Sequence, residues 1–187
     1  MREFFENAET AAAVHTAKNL MGGSETILQA WQPFFTAQLG AAATLGGLVF
    51  VGLSLNLNKI LAYAALPIRA MLALFLLLLV LIVSSIGLLP GQELHVIGTE
   101  IFIFAVTGWG SLTAMDAHVF RKTELQNRRR YVGNMIFLQV ATLPYAMGSL
   151  MILLRSTSGL YLIAIGVVAS FVKAVIDARV LLVEINR

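Results

Sequence analysis

Ala70-Met71-Leu72-Ala73-Leu74-Phe75-Leu76-Leu77-Leu78-Leu79-Val80-Leu81-Ile82-Val83-Ser84-Ser85-Ile86-Gly87-Leu88-Leu89-Pro90-Gly91-Gln92 contains no formal charge and is bounded by Arg69 and Glu93. Its centre, Leu72 to Val83, is apolar on every side. A core helix of a water-soluble domain keeps one polar face, and this segment has none. About 20 apolar residues rising about 1.5 Å each cross the roughly 30 Å hydrocarbon layer of a bilayer. The stretch therefore reads as a transmembrane helix.

The rest of the chain agrees. Hydrophobic residues make up 58% of the 187 and charged residues 12%. Soluble domains carry about 25% charged residues, so most of this surface cannot face water. The length allows about five spans with short loops and no large soluble domain. The fold class expected is all-α: a polytopic integral membrane protein with about five transmembrane helices. Without cysteine there is no disulfide, thiolate metal site or thiol nucleophile. The start, Met1-Arg2-Glu3-Phe4-Phe5-Glu6, lacks the basic region and apolar run of a signal peptide.

Residues 1–33 form the only sizeable segment outside the apolar spans. They are expected to be an extramembrane amphipathic helical segment, lying on the membrane or packed on the bundle end, with the bundle over 34–187. Gly22-Gly23 is expected to stop a first helix, and Ser24 to cap a second with Glu25 in its first turn. Trp31, Phe34 and Phe35 around Pro33 resemble an interfacial belt, and Pro33 is placed in the first turn of span one. The spans are expected near 34–57, 68–89, 94–118, 131–154 and 160–182, span one running on as helix toward Ala65. Pro90-Gly91 and Arg155-Ser156-Thr157-Ser158-Gly159 are turns, and Pro144 is a kink in span four.

Five spans put the termini on opposite sides. If the connection after span three is cytoplasmic, that side holds Lys59, Arg69, Arg121, Lys122, Arg128, Arg129, Arg130, Arg179 and Arg187, against Arg2, Lys18 and Arg155 opposite. The positive-inside rule then places the N-terminus outside and the C-terminus inside, in the inner membrane of a prokaryotic cell. The triple arginine Arg128, Arg129, Arg130 marks topology and is a candidate contact for anionic lipid headgroups. Nucleic acid is not an expected partner, although the sequence pI is near 9.5.

Polar groups inside the hydrocarbon are costly and are the first places to look for function. Span one has a seam at heptad-like spacing, Gly40, Thr44, Gly47, Val51, Ser54 and Asn58. Small residues let backbones approach, so the seam serves helix packing or, less favoured, lines a pore. Span three carries Glu100, Thr107 and Ser111. Glu100 lies about 9 Å below the outer end of its span. A carboxylate there attracts ions at a pore mouth or is hydrogen-bonded near the interface. Asp116 and His118 are placed at the inner interface, facing headgroups or the loop. Lys173 and Asp177, four apart on span five, are read as inner-interface charges, either paired within the helix or with the lysine snorkelling. Span four adds Asn134, Gln139 and Thr142, and span five adds Gly166 and Ser170.

An enzyme is not expected. His95 and His118 stand at opposite ends of one helix, about 34 Å apart, and cannot share a metal. Ser54 has no histidine clearly placed at its depth, and no phosphate loop, dinucleotide fingerprint or HExxH pattern occurs. Neither a cofactor nor a metal is expected. Two functions remain: a homo-oligomeric channel for small ions lined by spans one and three, or a non-catalytic scaffold that binds another membrane protein. In both, the lipid bilayer is the solvent. Gly87, in the uniformly apolar second span, is expected to tolerate a larger side chain.

Overall fold

The computed structural model describes the backbone of residues 2–61, 66–122 and 128–185, and the side chains of 26–58, 60, 67–117 and 132–179. All regular structure among the described residues is helical: α1 (Arg2–Leu55), α2 (Leu57–Leu61), α3 (Leu66–Gly87), α4 (Leu94–Lys122), α5 (Arg128–Leu153) and α6 (Gly159–Ile185). Five segments are long and apolar enough to cross a membrane: Thr26–Leu55, Pro67–Gly87, Leu94–Ala117, Val132–Leu153 and Gly159–Arg179.

The first helix differs from the reading of its sequence. It runs unbroken from Arg2 to Leu55, through Gly22, Gly23 and Pro33. No helix ends at the glycine pair and none starts at Ser24. Each helical glycine costs only about 1 kcal/mol relative to alanine, and a proline inside a helix removes one backbone bond. Neither obliges a long helix to stop. The break falls instead at Asn56, whose side-chain Nδ2 donates to the Gly52 carbonyl at 3.0 Å. Residues 62–65, where span one was expected to run on, lie outside the described residues.

The other ends follow local chemistry. Pro67 stands in the first turn of α3, where a missing N–H is harmless. Gly91 takes a φ of +72° in the turn before α4. α5 ends in a Schellman arrangement: Ser156 N–H donates to the Met151 carbonyl and Arg155 N–H to that of Ile152, both at 2.9 Å. Arg155 occupies the left-handed position with a φ of 63°, where glycine is the usual residue.

Helices α3 to α6 form an up-and-down bundle in which α5 packs on α4 and α6, and α3 on α4 and α6. α1 lies mainly on α3. The α3 span is thus the most enclosed, 61% buried against 11% for the α1 span. One apolar cluster, with Val80, Val83, Ile97, Ile101, Ile152 and Ile163, fills the end carrying the turns at 88–93 and 154–158. A second, with Leu72, Leu76, Leu112, Leu138 and Ala174, fills the end carrying the 123–127 connection. We call these the turn end and the connection end. At the turn end the packing is close enough to require glycine: a Cβ at Gly148 would stand 2.6 Å from the Gly159 carbonyl oxygen.

Candidate functional site

The polar residues named from sequence fall into three separate places. The first is the outside of α1. Gly40, Thr44, Gly47, Ser54 and Asn58 are all exposed, and a Cβ at Gly40 or Gly47 would meet nothing within 4 Å. Among the described residues, the seam therefore packs against no other helix of the chain. Its hydroxyls are satisfied on their own helix: Thr44 Oγ1 donates to the Gly40 carbonyl at 2.8 Å and Ser54 Oγ to that of Phe50 at 2.9 Å. Thr107 and Ser111 on α4 are likewise exposed, Thr107 donating to the Ile103 carbonyl at 2.7 Å.

The second place is the turn end of α4. Glu100 is half-buried, and its Oε1 accepts a hydrogen bond from Gln92 Nε2 at 3.3 Å. Beside it, Glu93 and His95 pair at 3.0 Å with both side chains largely exposed. A pair so open contributes little.

The third place is inside the bundle, at the connection end. Lys173 and Asp177 form an ion pair along α6, with the residues only 1% and 2% exposed. The lysine does not snorkel. Asp116 on α4 is 0% exposed, so it faces the interior and not the headgroups or loop. All three lie toward the connection end of the bundle. Leu112 and Ala174 belong to one apolar cluster; Asp116 follows Leu112 by one turn, and Lys173 and Asp177 flank Ala174. Arg69 on α3 and Asn134 on α5, each half-buried, stand about one turn from Leu72 and Leu138 of the same cluster. Each of the four bundle helices thus brings a polar side chain to this end. The side chains of His118, Arg128, Arg129 and Arg130 lie outside the described ones.

One turn above the ion pair, a buried polar contact joins α5 to α6. Tyr145 O–H donates to Ser170 Oγ at 3.1 Å, and Ser170 Oγ donates to the Ala141 carbonyl at 3.3 Å. Tyr145 escaped the sequence reading, since an aromatic in an apolar span reads as core or lipid contact. The sequence signal beside it is Pro144, which interrupts the backbone ladder of α5. On the outside of the bundle, Trp109 Nε1 donates to Gln139 Oε1, and Gln139 Nε2 donates to Thr113 Oγ1 at 3.3 Å. These bonds tie α4 to the connection-end half of α5.

No protein-family model, curated protein or solved structure matches the chain.

Proposed function

We propose that the chain is a subunit of a homo-oligomeric protein of a prokaryotic inner membrane that passes small ions, with its N-terminus outside and its C-terminus in the cytoplasm. One observation carries the reading: Asp116, Lys173 and Asp177, each at most 2% exposed, lie inside helices apolar enough to cross a membrane. Ionisable groups so placed are costly and mark ion or proton pathways by default. The orientation rests on the excess of lysine and arginine at the connection end.

The reading moves the ion-handling groups from the faces of spans one and three to the bundle interior. The outward faces of α1 and α4 then serve subunit contact, as small residues commonly do between membrane helices. Glu100, beside the outer turn, concentrates cations at that mouth. Purified protein in liposomes should carry a cation flux, and Glu100→Gln should lower it or its cation-over-anion preference. Glu25→Gln should do much less. An unchanged selectivity would remove Glu100 from the path.

The second reading is a non-catalytic scaffold for another membrane protein. It is favoured by the hydroxyls of Thr44 and Ser54, which need no water and leave a face able to close dry. Absence of flux under every ion gradient would make it the better account.

A further inference from the structure

We propose that α5 is a hinged gate: its Arg128–Leu143 half turns about Pro144, Tyr145 and Ser170 are the latch, and opening exposes Lys173 and Asp177 to solvent at the connection end. The inference rests on the ion-passing reading for its purpose, but not for its observation.

The hinge comes from covalent chemistry. Pro144 lies inside α5 and has no N–H to give the Val140 carbonyl, which its ring also crowds. This is the weakest step of the helix. The two halves around it are held differently. On the turn side, backbone meets backbone at Gly148 and Gly159, and a Cβ at Gly98 on α4 would come within 2.7 Å of Ile152. Such packing has no room to slide. On the connection side, the apolar packing of Leu138 and Ala141 and side-chain hydrogen bonds hold the segment, and the bonds are individually modest.

The latch spans the hinge. Ser170 on α6 accepts from Tyr145 after the proline and donates to the Ala141 carbonyl before it, at 3.1 and 3.3 Å. Gly166, one turn earlier on α6, leaves room for the Pro144–Tyr145 step: a Cβ there would lie 3.1 Å from the tyrosine ring. With Ser170 released, the segment before Pro144 swings from α6 while Gln139 stays bonded to Trp109 and Thr113 on α4. The gap opens against α6, beside Leu138 and Ala174, where the ion pair waits one turn below Ser170. Opening rehydrates two charges whose burial is costly, so the free-energy difference between open and closed states is reduced from the outset.

The chain has no cysteine, so a single introduced thiol reports opening without background. Ala174→Cys places one on the gated side and Val167→Cys one on the fixed side of α6. In membrane vesicles both should react slowly with a small thiol reagent. Adding Ser170→Ala, which removes the bond to the Ala141 carbonyl that ties the gated half to α6, should speed Ala174→Cys by roughly tenfold, the effect of losing about one net hydrogen bond. Val167→Cys should stay slow. Pro144→Ala, added to Ser170→Ala, should restore the slow rate by returning the missing N–H. Tyr145→Phe, which frees the Ser170 hydroxyl from the donor that orients it, is the second latch variant if Ser170→Ala does not accumulate. Equal rates with and without the latch would overturn the gate, as would acceleration at both positions, which means general loosening. Failure of Pro144→Ala to slow the reaction would remove the hinge. A gate that opens in a protein without ion flux would keep this inference and end the ion-passing reading.

Discussion

The Phe35 ring on α1 occupies the space that a side chain at Gly87 on α3 would fill: a Cβ there would lie 2.8 Å from Phe35 Cδ2. Phe35 is itself buried in the turn-end cluster. Gly87 is thus a contact glycine, and the expectation that it tolerates enlargement is corrected. Apolar sequence on all sides of α3 gave no sign of which position another helix would approach.

The outward seam of α1 makes the complementary case. Gly87→Ala should destabilise the chain by about 1–3 kcal/mol through overpacking, read as a lower melting temperature in detergent. Gly47→Leu meets nothing within 4 Å among the described residues, so it should leave that temperature nearly unchanged and, in the proposed homo-oligomer, weaken assembly in mild detergent. If Gly47→Leu preserves the oligomer, the seam faces lipid and the subunit contact lies elsewhere.

Arg155 offers a gain of stability. A non-glycine residue in the left-handed region carries roughly 1 kcal/mol of strain, and Arg155 sits there at a φ of 63° to close α5. Arg155→Gly should raise stability by several tenths of a kcal/mol to about 1 kcal/mol, after glycine's greater unfolded-state entropy is offset. A melting temperature lower than wild type would show that the arginine side chain contributes more than its backbone strain costs.

The orientation is tested with single cysteines. One at Ser158 or Ser24 should react with an impermeant thiol reagent added outside cells. One at Gln126, between α4 and α5, should react only from the cytoplasmic side. Labelling of Gln126→Cys from outside would reverse the topology.

The five apolar helices were legible in the sequence because lipid demands long uncharged runs, and Pro67, Pro90 and Gly91 punctuate them where the chain turns. The Lys173–Asp177 pair was legible as an alternative, since four-residue spacing puts both on one helix face. Its burial was not, because the helices that enclose α6 are far away in sequence. The same reason hid Asp116, placed at the interface by position along its span when its rotational face was what mattered. Tyr145 and Ser170 stand 25 residues apart and meet only through the packing of α5 on α6. The seam of α1 announced close approach without naming the neighbour. Gly22, Gly23 and Pro33 were read as punctuation, but local propensity costs about 1 kcal/mol per glycine and a long helix runs through it.

In the proposed function the buried charges handle ions and are not merely structural. The direct measurement is cation flux into liposomes holding wild type or the double variant Lys173→Met/Asp177→Leu. Removing one partner alone leaves a buried charge and should cost about 3–5 kcal/mol, whereas replacing both with apolar side chains of similar size is often neutral or stabilising. The double variant removes the pair together but leaves Asp116, so its melting temperature in detergent is measured beside its flux and should lie near that of wild type. The account predicts flux from wild type and none above empty liposomes from the double variant. Equal flux from both, or none from an assembled wild type, would contradict it.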